Sequence, residues 1–386
     1  MYKVTVGLPV YNSSELVRNA LDSFVEQTMH KKDFEVICVD DCSTDNSLEI
    51  VEEYKDKLNL RIIKLAENSG GPGKPRNKII KEAIGEFIFF VDSDDYISKN
   101  TLLNSYTFAK ENNSDIVLVK MKGINGRKVP KSMFKETNSN IDLYTSRLMS
   151  ALNPLKLYKT KLLTNNNIFF PVDVRSAEDQ YFSVKGYVLA NKISILADQD
   201  YYYATKHDGE HMTFTKIEPE GYYQVMCDTV DSIYNHSKET NERKDMLTAR
   251  FIIRHFKGRT KNTTIKRSEK QERKRWLDLL HNFISNHVPE TVDKLVDKET
   301  FIRLSLARKN DQANYTIYEY EKYTNLLKRE TKLLKKEKRT LTRQNKKTLT
   351  SNDKLTKENI YLKNTLNRKS IRFTRKTADF ISSLKN

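Results

Sequence analysis

The chain has 386 residues, 38% of them hydrophobic, and a formal net charge of +17. That length is too great for one small core and predicts two or three units, while no apolar run approaches the roughly 20 residues a membrane span needs. Three cysteines, Cys38, Cys42 and Cys227, are too few and too poorly spaced for a disulfide frame or a zinc site. The opening MYKVTVGLPVYN lacks the basic, apolar and small-residue order of a signal peptide, so the expected location is cytoplasmic. The charge is divided unevenly. Residues 1–240 carry 30 Lys+Arg against 34 Asp+Glu, or −4, and residues 241–386 carry 38 against 17, or +21. Such a concentration predicts an anionic partner: nucleic acid, acidic lipid or a phosphate polymer.

From the N-terminus, short β-rich runs alternate with helical stretches. KVTVGLPV precedes a helix over about 14–27, FEVICVDD one over about 47–58, and LRIIKLAEN a Gly-rich loop and a helix to about residue 83. FIFFVDSDD, a fourth helix and DIVLVK follow. This order predicts an α/β fold with a mostly parallel sheet between helices. Ligands of such sheets bind beyond the carboxyl ends of the strands. Tyr11-Asn12, Asp40-Asp41, Asn68 to Asn77 and Asp92 to Asp95 each follow a strand and would gather on that rim. Any one of them alone suits an ordinary turn or helix cap, but four in succession favour a site.

After about residue 215 the text becomes helical and polar, and from Ile317 a heptad appears. Tyr320, Leu327, Leu334, Leu341, Thr348, Leu355 and Leu362 fall seven apart; the alternate seam is polar, with Asn345, Asn352 and Asn359. More than six heptads without Pro or Gly favour a coiled coil over a helix packed on the body, as a dimer or trimer. The tail NRKSIRFTRKTADFISSLKN mixes basic and apolar residues and could lie on an anionic membrane surface or end the coiled coil. The expected division is 1–215 catalytic, 216–312 helical, acceptor-binding or linking, and 313–386 coiled-coil oligomerisation segment with a basic amphipathic tail.

Asp92-Ser93-Asp94 offers hard oxygen ligands to Mg²⁺ or Mn²⁺, which in turn neutralise a diphosphate. The short pattern arises often by chance, so its company matters. ENSGGPGKPRN, Glu67 to Asn77, combines three glycines for close backbone approach with Lys74 and Arg76 near a helix start, yet matches neither a Walker A loop nor a dinucleotide fingerprint. The basic run RHFKGRTKNTTIKRSEKQERKR suits contact with several phosphates, against the plainer reading of a solvated helical face.

VGLPVYNSSELV, VICVDDCSTDNS, NSGGPGKPRN and FFVDSDDYI, in that order, resemble the nucleotide-sugar domain of glycosyltransferase family 2, with its GT-A fold. VKMKGINGRKVPKSMF, SAEDQYF and YYYATKHDGEHM further resemble the wall teichoic acid poly(ribitol-phosphate) β-N-acetylglucosaminyltransferases of the TarS and TarP type, over roughly residues 1–310. The resemblance implies inverting transfer of N-acetylglucosamine from UDP-N-acetylglucosamine (UDP-GlcNAc) to ribitol hydroxyls. It implies that Pro9, Tyr11 and Asp41 hold the uracil and ribose, that Asn68 and Arg76 contact nucleotide and diphosphate, and that Asp92 and Ser93 complete the donor site. Asp94 becomes the metal ligand for Mn²⁺ or Mg²⁺, with His211 closing over the ion or the diphosphate, against the plainer reading of a surface or packing histidine, and Asp95 orients its neighbours or caps the next helix. Asp179 becomes the base and Glu178 a partner of donor or acceptor, although Ser176-x-x-Asp179 is also a capping-box pattern. Arg254, His255, Lys257, Arg259 and Lys261 are expected to grip the polyanionic acceptor. Another UDP-sugar or a capsule or other glycan acceptor fits the same domain. A nucleic-acid-binding protein is disfavoured by the acidic first 240 residues and by the lack of a recognised motif.

Overall fold

The strands form where Val, Ile and Phe cluster, because branched and aromatic side chains pack well on a pleated, buried surface. In a computed structural model, which describes residues 2–172, 174, 176–207, 217–257, 269–347 and 360–368, the first four strands are β1 (Val4–Val10), β2 (Phe34–Asp40), β3 (Leu60–Lys64) and β4 (Phe87–Phe90). With β6 (Ile116–Val119), β8 (Leu157–Lys159) and β9 (Ile193–Leu196) they make a seven-stranded sheet in the order β3-β2-β1-β4-β8-β6-β9. Only β8 runs antiparallel to its neighbours β4 and β6. The other six strands therefore end on one rim. β1, β2 and β4 are buried along their whole length, which is why they read as continuous apolar runs rather than alternating ones.

The connections supply helices α1 (Val17–Val25), α2 (Ser47–Glu52), α3 (Gly73–Glu82), α4 (Thr101–Asn112), α5 (Thr160–Asn165) and α6 (Glu178–Leu189). A second sheet of three short strands sits beyond the rim, in the order β5 (Tyr96–Ile97), β10 (Tyr202–Thr205), β7 (Met121–Ile124). Pro9 lies inside β1 without breaking the sheet, because β4 pairs with β1 only through Val4 to Gly7 and Pro9 falls past the end of that ladder. Gly85 lies two residues before β4, against β1: a Cβ there would meet Thr5 N at 2.5 Å and Val4 C at 2.7 Å, both backbone. Gly85→Ala should therefore destabilise the chain by about 1–3 kcal/mol, as overpacking does, read as a lowered denaturation midpoint with an unchanged slope.

The helical part continues with α7 (Pro219–His236), α8 (Asn241–Lys257), α9 (Lys270–His287) and α10 (Lys298–Arg308). The chain divides into two compact units, Met1–Gly258 with Lys274–Asn310 and Arg259–Arg273 with Asp311–Asn386. In the first, α7 packs on α6, and Tyr222, Tyr223, His255, Trp276 and Phe283 form an aromatic core. His255 is 3% exposed, its Nδ1 lies 3.0 Å from the Tyr222 hydroxyl, and burial pushes its imidazolium down to about 3. The expectation that His255 grips an acceptor is thus corrected: a neutral, enclosed imidazole has neither the charge nor the access. The second unit contains α11 (Gln312–Lys347), an unbroken helix of 36 residues that includes the first four positions of the heptad seam, and residues 360–368 are helical as well. The tail beyond residue 368 lies outside the described residues.

Candidate active site

The rim loops are tied to one another before any ligand is considered. Asn12, with φ 43°, accepts from Thr44 N through its side chain (2.8 Å), while its own N–H donates to Ser43 Oγ (3.1 Å). The loops after β1 and β2 are thereby joined. Ser13 and Ser93 hydroxyls meet at 2.7 Å, linking the loop after β1 to the one after β4. Tyr11 stands at this rim with 47% of its surface exposed, an open ring face for a flat partner. Asp41 is buried and its two oxygens accept from Ser69 N (3.0 Å) and Ser69 Oγ (2.9 Å); burial pushes its carboxyl up and these bonds pull it back. Asn68 donates to the Asp41 carbonyl at 3.1 Å. Asp41 and Asn68 thus first hold the Gly-rich loop against β2, whatever else they contact.

That loop delivers Arg76 on α3. Arg76 is 5% exposed, donates to Asp92 Oδ1 at 2.6 Å, lies 4.0 Å from Glu178 Oε1 and covers the Phe170 ring at 5.4 Å. Burial alone would push the guanidinium down, but Asp92 and Glu178 hold it charged. Its Nε is buried with no hydrogen-bond partner among the described residues, a spare donor at a site where an anion would be welcome. Asn77 fixes the far side of α3 through a two-way bond with Phe170, at 2.8 and 2.7 Å.

The three carboxylates after β4 take separate environments. Asp92 is neutralised by Arg76. Asp95 accepts from Tyr202 Oη (2.8 Å) and Thr205 N (2.7 Å) on β10, and burial followed by its two acidic neighbours pushes it up to about 8. It orients its neighbours by fastening their loop to β10. The Tyr202 hydroxyl also accepts from Asp92 N at 3.2 Å, so one buried phenol holds both ends of the turn. Asp94 faces His207 Nε2 at 3.1 Å, and its carboxyl is raised by burial and by Asp92. Donor atoms of Asp92, Asp94 and Asp95 lie within 4.8 Å of one another. Hard oxygens crowded this closely fit a divalent cation, and the charge it brings is what the raised carboxyls lack.

Asp179 is the second residue of α6. The capping-box reading of Ser176 is not what starts this helix: the N-cap is Ala177 at φ 73°, with no side-chain cap bond. A left-handed alanine is strained, by roughly 1 kcal/mol, and it sits one residue before the acidic pair that it turns into the site. Asp179 is half-buried; burial pushes its carboxyl up, while Arg76, Arg254 and Lys156 pull it down. Arg254 thus acts on Asp179 through its charge, and its Nη1 donates to Ser150 O at 3.4 Å. Lys257 ends α8, with its side chain outside the description; Arg259, Lys261 and His211 lie outside the described residues.

The motif VKMKGINGRKVPKSMF becomes β7 and a tight turn. Asn125 (φ 51°) and Gly126 (φ 79°) are left-handed and Arg127 N donates to Ile124 O at 2.9 Å; a Cβ on Gly123 would collide with Arg127 O. The turn holds Arg127 and Lys128 exposed beside the end of β10 that leads to His207. Sequence reasoning missed Tyr202, His207 and Lys156. The first two had a signal, since both lie in the quoted YYYATKH run, but the third had none.

A mostly parallel sheet with acidic and glycine-rich loops on one rim and a second acidic pair opposite defines the GT-A class of glycosyltransferase folds. A family model of glycosyl transferase family 2 matches residues 5–175, and one of the glycosyl transferase TarS linker domain matches residues 219–319. The chain is 50% identical over 322 residues to the poly(ribitol-phosphate) beta-glucosyltransferase of Bacillus spizizenii, covering 83% of this chain and 50% of that protein. It is 31% identical over 322 residues to the poly(ribitol-phosphate) beta-N-acetylglucosaminyltransferase TarP of Staphylococcus aureus, covering 81% and 97%. The crystal structure of S. aureus TarS 1-349 in complex with UDP-GlcNAc matches with a TM-score of 0.81 at 46% identity, over 84% of this chain and 92% of that one. The chain belongs to glycosyltransferase family 2, among the relatives of the TarS and TarP type. It spans about half the length of the B. spizizenii protein and of full-length S. aureus TarS. Among the described residues no helix is long and apolar enough to cross a membrane.

Proposed function

We propose that the chain transfers N-acetylglucosamine from UDP-GlcNAc to a ribitol hydroxyl of poly(ribitol phosphate), inverting the anomeric carbon to a β-linkage. The observation that carries this reading is the buried Arg76, which joins Asp92 of the donor rim to Glu178 at the start of α6 and so puts nucleotide and acceptor machinery on one guanidinium. Tyr11, Pro9, Asp41 and Asn68 line the nucleoside end, and Ser93 and Asp92 the sugar end. Asp179 takes the proton of the acceptor hydroxyl, whose oxygen bonds to the anomeric carbon as that carbon's bond to the diphosphate breaks and UDP leaves. Glu178, close to Arg76, orients the donor or acceptor. Asp94, with His207 or His211, would hold Mn²⁺ or Mg²⁺, which when bound supplies positive charge to the leaving diphosphate. Arg254, Lys257, Arg259 and Lys261 offer the polymer its cations.

Similarity to TarS and TarP supports the acetamido sugar, and the 50% identity to a beta-glucosyltransferase favours glucose as the second reading. Turnover on poly(ribitol phosphate) with each UDP-sugar separates them. We expect at least about tenfold higher kcat/KM with UDP-GlcNAc, the effect of one net hydrogen bond of about 1.4 kcal/mol; preference for UDP-glucose, or no transfer to this polymer from either, overturns the proposal.

We also propose that residues 313–386 self-associate as a coiled coil, supported by the unbroken α11, and that the division into catalytic, helical and stalk segments follows the boundaries near 215 and 312. The enzyme would then work in the cytoplasm, with the basic tail at the inner membrane face. Removing residues 317–386 should leave a folded transferase of lower assembly state by light scattering; an unchanged number of subunits would refute the stalk.

A further inference from the structure

Lys156 is the most enclosed cation in the catalytic half, 2% exposed, and no step of the mechanism uses it. Its ammonium donates to the Asn153 carbonyl and side chain and lies 5.8 Å from the Tyr187 ring. Those contacts fix its place relative to α6. Asp179, Ser183 and Tyr187 recur every four residues and so share one face of that helix. Ser183 Oγ donates to Leu152 O (3.0 Å) and Tyr187 Oη to Ala151 O (2.6 Å), so this face is laid against the segment Ser150–Lys156. Arg254 closes the segment from α8 through Ser150 O.

We infer that Lys156 is a positioning residue for the base: a buried ammonium set beneath the Asp179 face of α6 that keeps this carboxylate ionised and aimed at the acceptor. The inference rests on the proposed role of Asp179. The groups facing that carboxylate are Arg76 from α3, Arg254 from α8, Lys156 and Tyr158 at β8, and the adjacent Glu178. From α7, His236 approaches α6 at Lys185, six residues further along. Burial pushes the Lys156 ammonium down to about 7, so it carries its charge throughout the acidic limb, where the base must shed its proton. Removing that charge raises the carboxylate's pKa and moves the limb to higher pH.

The test uses the full chain. Lys156→Met should move the acidic limb of the kcat/KM profile upward by about one pH unit with UDP binding unchanged, while Lys156→Arg keeps the limb in place. A limb unmoved in Lys156→Met overturns the inference. Because Lys156→Met could fail to fold, its effect on the thermal midpoint is also measured in an Asp179→Asn background. The loss should be at most half that in the wild-type background, since the carboxylate needing a counter-charge is gone. Equal losses in the two backgrounds overturn the pair. Near-normal turnover of Asp179→Asn alone would instead sink the base reading, and the stability comparison would still decide whether Lys156 and Asp179 are coupled.

Discussion

Asp179→Asn should abolish transfer, lowering kcat by about 10²–10⁴-fold, the range a positioned general base supplies. UDP affinity by calorimetry should change little, because Asp179 stands on α6, apart from the rim loops proposed to hold the nucleotide. The amide keeps the shape of the carboxylate and the backbone of the first helical turn, so the variant tests charge and proton affinity rather than packing. Burial raises the Asp179 carboxyl while Arg76, Arg254 and Lys156 pull it back, and a carboxylate of raised proton affinity suits a group that must take a proton. Near-normal turnover would remove Asp179 from the mechanism.

Asp94→Ala should weaken metal-dependent UDP binding by at least about tenfold and transfer by more, since a diphosphate that loses its cation loses both affinity and leaving ability. Mn²⁺ should raise the thermal midpoint of the wild type but not of this variant, because an ion that binds only the folded state stabilises by mass action. Three carboxylates with ligand atoms within 4.8 Å, two of them with raised carboxyls, are held together at a cost that a cation relieves. Normal metal-dependent UDP affinity in Asp94→Ala would take this residue out of the cation site.

The sheet was legible because its central strands are buried on both faces and therefore read as plain apolar runs. β8 was not, since three residues, Leu157–Lys159, leave no periodicity to detect, and its antiparallel insertion depends on partners about 40 to 70 residues away. The rim motifs were legible for a similar reason: turn and cap residues follow each strand at a fixed place. Their pairings were not. That Arg76 neutralises Asp92, and that Asp95 is tied to Tyr202 and Thr205, are consequences of packing across 16 and more than 100 residues of chain.

His255 shows the opposite error. Its basic neighbours suggested a solvated grip, yet Phe251, Ile252, His255 and Phe256 fall on one helical face, and that periodicity was the better guide to its burial. Lys156 could not be found at all, because the first Lys of NPLKLYK looks like a surface residue after a turn. Only the placement of α6 over that segment reveals it.

The proposed arrangement holds the donor between Asp94 and Arg76 with its anomeric carbon open toward α6. A crystal structure of the full chain with UDP-GlcNAc and Mn²⁺ tests it most directly. The uracil is expected at Tyr11, the diphosphate between Asp94 and Arg76, and the face of the sugar opposite the diphosphate turned to Asp179. A sugar that presents this face away from α6, or a nucleotide seated off the rim, would contradict it.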